Sequence, residues 1–298
     1  MVGVRKTRRL KKTGSEQYRP GPCQCRPRVG KKRPAYGCLP ASELQKIASK
    51  VLGSQTTLRT QVGGVSAVAL RKQLEEEVGV EPIHEYSFVQ ALPIDESEKR
   101  RLQAAYLRPP QPEAWRADPD KWLDSTNIEN VMKQYEEDVA DFKFLGPYPI
   151  DFAAPDPYNK TKTKCLISEM CSLDMVALKA AGKSKVGIIY NLDPHNKGGS
   201  HWVGNYVDLK KKVCYYFDSY GMEVPDQIEK FMQWLTLQDP AMKLAYNARR
   251  FQLKDSECGM YSMYFIIRML MGEEFRPFCR RAPRDGEMLA LRSWLFST

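Results

Sequence analysis

Between Cys258 and Met271 the chain is apolar almost all round: Met260, Tyr261, Met263, Tyr264, Phe265, Ile266, Ile267, Met269 and Leu270 leave no polar stripe for water. A helix of that kind has to be the central helix of a core, with other elements laid around it. The preceding chain offers those elements. Three strand-like runs, Lys185–Leu192, His201–Leu209 and Val213–Asp218, are separated by the Asn196-Lys197-Gly198-Gly199-Ser200 loop and the Lys210-Lys211-Lys212 turn. A further strand is read over Lys243–Gln252. Helices are read over Ser125–Val139, Cys171–Ala181, with Gly182 past its end, Val224–Leu237 and Gly286–Phe296. The implied class is α+β, a central helix packed on an antiparallel sheet with further helices outside.

Upstream the texture is different. Ala41–Val51, Val65–Val78 and Glu96–Tyr106 have helical spacing, with Gly53 and Gly79 as stops and Arg108-Pro109-Pro110 as a break. A Pro-rich linker follows from Pro109 to Pro119. Residues 1–35 hold twelve Lys/Arg against one acid, Glu16, so they carry +11 of a net +10 and leave the remainder near −1. The basic character therefore belongs to a tail that suits polyanions, not to a groove in the fold. Too few apolar residues lie before Leu39 for that tail to order itself by burial. The expected organisation is a basic tail (1–38), a helical accessory region with its linker (39–117) and a catalytic-type domain (118–298). No run approaches the roughly 18 apolar residues of a membrane helix, and no apolar signal core begins the chain. Neither membrane association nor export is expected.

Eight cysteines in 298 residues are too few for a disulfide scaffold. Cys23, Cys25 and Cys38 are too closely spaced, too few and too far from any His for a structural zinc site, and are read as exposed thiols. Cys165, Cys171, Cys214 and Cys279 are read as core or half-buried thiols. No metal and no cofactor are expected.

Cys258 stands apart. It opens the buried helix after Asp255-Ser256-Glu257, where the helix N-terminus favours a thiolate. Gly259 is expected to leave room for a substrate backbone. A nucleophilic thiol needs a base and a group to orient that base. Of three histidines, His84 reads as a surface or linker residue and His195 as a hydrated loop residue. His201 begins one strand and Asp218 ends the next, so an antiparallel hairpin turning at Lys210–Lys212 brings both to one end. Gln252, six residues before Cys258, could donate its amide to an oxyanion.

In this order, His201-Trp202, Tyr216-Phe217-Asp218-Ser219 and Gln252-x5-Cys258-Gly259 resemble the Ulp1/adenain-like cysteine proteases, the SUMO-protease clan. The segment Trp122-Leu123-Asp124-Ser125 through Met132 is similar to that family's Trp-Leu motif. The resemblance covers roughly residues 118–298 and implies a papain-like, Ulp1-like fold. It implies Cys258 as nucleophile, His201 as general base and then acid, Asp218 as its orienting partner and Gln252 as oxyanion donor. It also implies that Trp122 and Trp202 wall a narrow tunnel over a Gly-Gly segment, so that the protein substrates carry Gly-Gly-X sites. Members that process ubiquitin-like modifiers have an acid where Ser125 stands, with Asp124 one place early. Phe251-Gln252, Ser256 to Ser262 and the basic tail look more like the virion maturation proteases of large nucleocytoplasmic DNA viruses. The expected setting is the virion or host cytoplasm, or the nucleus if the tail serves import, with nucleic acid or an acidic protein as the tail's partner. Two alternatives stay open: an isopeptidase for SUMO or another ubiquitin-like protein, and a catalytically silent structural or nucleic-acid-tethering virion protein.

Overall fold

The computed structural model describes residues 25–29, 36–52, 66–80, 84–157, 159, 164–281 and 283–297. Most of the basic tail, with Cys23, lies outside these, as do Gly53 and Val65. No described helix is long and apolar enough to cross a membrane. The chain divides into two compact units, one of residues 1–26, 33–107 and 297–298, the other of residues 27–32 and 108–296.

The first unit is helical. α1 (Ala41–Val51) buries Leu44, Ile47 and Ala48. α2 (Ala67–Val78) starts at Ser66, whose side chain accepts from Ala69 N, and stops at Gly79 in the left-handed region, φ 67°. α3 (Glu85–Ala91) is followed by α4 (Glu96–Tyr106), capped by Asp95. Leu44, Ile47, Leu70, Leu74, Phe88, Val89 and Leu102 make their common core. Here two expectations are corrected. Cys25 and Cys38 are not exposed thiols but a buried disulfide. The tail also ends earlier than Cys38: Cys25 bridges to Leu107, while Cys38 packs beside Leu39 in the core, which brings the sulfurs together.

In the second unit the α+β class holds. Its elements are α5 (Ser125–Asp138), β1 (Phe142–Pro149), α6 (Ser168–Cys171), α7 (Met175–Ala180), β2 (Lys185–Asn191), β3 (Trp202–Asp208), β4 (Val213–Phe217), α8 (Asp226–Gln238), β5 (Lys243–Tyr246), α9 (Cys258–Leu270), α10 (Phe275–Arg280) and α11 (Asp285–Leu295). The sheet runs β1-β2-β3-β4-β5 and is mixed: only β2-β3-β4 is antiparallel, while β1 and β5 join as parallel edges. Both faces are covered. α9, α5 and α11 pack on one with Phe144, Tyr206 and Phe217; α7 and α8 pack on the other with Ile188, Val203 and Tyr216. The largely apolar α9 is buried at every residue but Tyr264, its Ser262 and Arg268 included.

Four readings shift. The strand expected over Lys243–Gln252 stops at Tyr246, because the Asn247 side chain takes Asp218 N at 2.8 Å and gives to Asp218 O at 2.7 Å, turning the chain aside. The helix expected over Cys171–Ala181 is two short ones, since Asp174 caps α7 through Val176 N and Ala177 N. Cys171 at the end of α6 is disulfide-bonded to Cys165, whereas Cys214 and Cys279 are free thiols, buried and half-buried. The expected linker and its boundary at 117/118 also move, to 107/108. Trp115 is buried in the second unit's core, edge-on to Phe296 at 4.9 Å.

Candidate active site

Gly204 faces Phe217 and Asp208 faces Val213 in the β3–β4 hairpin. Continued past the strand ends, that register sets His201, just before β3, opposite Tyr220 and brings it to the same end of the hairpin as Asp218, just after β4. Their side chains meet: His201 Nε2 lies 2.6 Å from Asp218 Oδ1. Asp218 is buried, and its carboxylate also accepts from Tyr220 N at 2.8 Å and Met222 N at 3.3 Å. The orienting group is thus itself held by backbone donors and by Asn247.

Cys258, the first residue of α9, is buried and is one of the groups that favour the charged form of the imidazole. Burial alone would depress the imidazole's basicity. The hydrogen bonds to Asp218 and Cys258, with their charges, outweigh it and carry His201 from its ordinary 6.5 up to about 9. Tyr220, which sequence reasoning missed, stacks on the imidazole with centroids 4.6 Å apart and planes at 18°. The signal for it was the hairpin register, which sets Tyr220 opposite His201.

Gln252 is wholly buried. Its backbone N–H and that of Phe251 donate to Ser219 O, at 2.9 and 2.7 Å, which ties it beside Asp218. The Ser219 hydroxyl donates to Gln252 Oε1 at 2.7 Å, and Nε2 has no hydrogen-bond partner among the described residues. A buried, unpaired donor is costly unless something else uses it.

Trp122 and Trp202 line one cleft of about 450 Å³ with His201, Ser125, Pro147–Pro149 and the 191–200 loop. Trp122 is 44% exposed and Trp202 is 7% exposed, its indole N–H donating to Leu123 O at 3.0 Å. Gly259 has a different role from the one expected. A Cβ there would stand 3.0 Å from Leu123 Cδ1 and 3.3 Å from Trp202 Cδ1, so the glycine admits the cleft walls against the helix start. Asp124 caps α5, accepting from Asn127 N at 2.8 Å. His195 is not merely hydrated: its backbone N–H and Nδ1 lie 2.9 and 2.6 Å from Asp151. His84 is exposed ahead of α3.

A last connection was not legible at all. Arg292 on α11 grips Glu257, the residue before Cys258, at 2.6 and 3.1 Å, and donates to Pro119 O and Lys121 O at 2.9 and 2.8 Å. One guanidinium therefore links the nucleophile's neighbour to the chain leading into Trp122.

Residues 185–283 match the Ulp1 protease family, C-terminal catalytic domain. The chain is 35% identical over 162 residues to a putative thiol protease of Acanthamoeba polyphaga mimivirus, covering 52% of this chain and 50% of that protein. It is 30% identical over 118 residues to the SUMO-1 cysteine protease of African swine fever virus, covering 37% of this chain and 43% of that protein. The chain thus spans about half the length, or less, of the curated relatives it matches. A crystal structure of the African swine fever virus protease is alike in fold, with a TM-score of 0.59 at 20% identity over 93% of this chain and 96% of that one. The matched stretch, residues 185–283, includes His201, Asp218, Gln252 and Cys258, and the family it matches is the one the motifs resemble.

Proposed function

We propose that this protein is an active cysteine endopeptidase that cleaves after Gly-Gly-type sites and processes viral structural precursors during virion maturation. The observation that carries the reading is the buried His201–Asp218 pair, with Gln252 tied to Ser219 next to Asp218 and its Nε2 without a partner among the described residues. In the first step Cys258 Sγ attacks the scissile carbonyl carbon, its proton residing on His201. The carbonyl π pair moves to oxygen, where Gln252 Nε2 donates to the developing oxyanion. Collapse expels the amine, which takes the proton from His201 and leaves a thioester. Water then attacks the thioester with His201 as base, releasing the acid and restoring the thiol.

Specificity for glycine rests on Trp122 and Trp202, which share the cleft beside His201. Two indoles flanking a strand of substrate exclude side chains. Peptides differing only in the two residues before the scissile bond test this: Gly-Gly peptides should be cleaved and Ala-Ala peptides should not. Equal turnover would refute the wall reading. The capping duty of Asp124 weighs against the modifier-processing alternative, because the carboxylate nearest the motif's acidic place is engaged within its own helix. The relatives in mimivirus and African swine fever virus support a viral setting. The basic tail is read as a tether to nucleic acid or an acidic protein, acting apart from catalysis.

A further inference from the structure

The amide of Gln252 can face two ways, and only one of them helps catalysis. With Nε2 toward the reacting carbonyl it donates to the oxyanion. Turned by 180°, it would present Oε1, a second partial negative charge, where negative charge develops. The two orientations have nearly the same shape, so packing alone does not choose between them. Hydrogen bonding must.

We propose that Ser219 is the positioning residue that selects the productive orientation, a role that rests on reading Gln252 as the oxyanion donor. Ser219 is wholly buried. Its hydroxyl gives its proton to Gln252 Oε1 at 2.7 Å. Its carbonyl is already used, accepting from Phe251 N and Gln252 N. Flipping the amide would make the hydroxyl oxygen accept from Nε2, take from the hydroxyl proton its acceptor and strand Oε1 without a donor, two losses in place of one. The present arrangement strands only Nε2 among the described residues, the atom that substrate would satisfy. Ser219 also directly follows Asp218, so one turn of chain sets both the base's partner and the oxyanion amide. The backbone bonds from Phe251 and Gln252 fix where Gln252 sits, and the hydroxyl fixes which way it faces. These separate duties make the second testable without destroying the first.

The experiment is a double-mutant cycle on the full chain with a fluorogenic peptide ending in Gly-Gly. Cys258→Ala serves as the control for activity itself, and Gln252→Ala as the control for the oxyanion donor, with an expected loss of about 10²–10³ in kcat. Ser219→Ala should lower kcat by about tenfold, the scale of one buried hydrogen bond, with KM little changed. In the Gln252→Ala background the same substitution should have no further effect. Alkylation of Cys258 by iodoacetamide forms no oxyanion, so its rate should be the same with and without the Ser219 hydroxyl. Equal kcat losses in both backgrounds, or slowed alkylation, would make Ser219 a general structural residue and overturn the proposal. An unchanged kcat for Ser219→Ala would overturn it too. A full-activity Gln252→Ala would instead remove the oxyanion reading beneath it, and a full-activity Cys258→Ala the protease reading as a whole. Should Ser219→Ala melt too low to assay, Ser219→Cys keeps the volume while weakening the donor, and the same non-additivity is expected of it.

Discussion

At His201 burial opposes the positive charge while Asp218 and Cys258 favour it, and the favouring contacts win by carrying the group from 6.5 to about 9. The sign of the linkage follows. A raised pKa means the folded state binds this proton more tightly, so its stabilisation is complete below about pH 6.5 and is lost as pH rises to 9. The melting temperature should therefore fall across that window, by the equivalent of at most about 3 kcal/mol, and His201→Gln should flatten the fall. A slope that survives the substitution would mean another group titrates there. Activity that depends on the imidazolium should decline above about pH 9 as well. Gly259 gives a second test at this scale. Gly259→Ala pushes a methyl against Leu123 and Trp202, where overpacking costs about 1–3 kcal/mol, and should also lower kcat/KM for Gly-Gly peptides. A thermal melt read beside peptide kinetics checks both, and wild-type values in each would show that the walls are free to move.

At the scale of elements, α11 acts on the site without entering it. Glu257 is buried, and burial raises its carboxyl pKa against the pull of Arg292. Arg292→Met would strand that carboxylate, and breaking a buried pair typically costs about 3–5 kcal/mol. Urea unfolding of Arg292→Met should show that loss, and Arg292→Met with Glu257→Gln should recover part of it; equal stability of the single variant and wild type would contradict the strut. Nothing in the sequence announced this pair, because its members are 35 residues apart and each sits in an ordinary local pattern. The hairpin that pairs His201 with Asp218 was legible for the opposite reason: alternation, a three-lysine turn and a short separation define its register. α1 and α4 were legible from their apolar spacing, and the end of α2 from Gly79. β1 was hidden by the Gly146-Pro147 break within it, α3 and α10 by having too few turns to show a period. The two disulfides were missed because their pairing depends on tertiary approach, which cysteine counting does not provide.

For the molecule as a whole, the tail boundary decides what can be removed. Deleting residues 1–35 would cut the Cys25–Cys38 disulfide and the Cys25–Leu107 bridge, so a clean truncation ends at residue 24. That deletion removes seven of the twelve basic residues. It should leave peptide cleavage unchanged while weakening nucleic-acid binding at low salt and flattening its salt dependence, as a filter-binding titration at two salt concentrations would read. Equal affinity of the full and shortened chains would dismiss the tether. The central claim is that one thiol, Cys258, is made nucleophilic by His201 in a cleft that accepts glycine. The most direct measurement treats the full chain with a peptide ending in a Gly-Gly vinyl methyl ester and maps the adduct by mass spectrometry. The account predicts a single adduct on Cys258, absent from Cys258→Ala and much slower in His201→Ala; labelling of Cys214 or Cys279 instead, or at the same rate without His201, would contradict it.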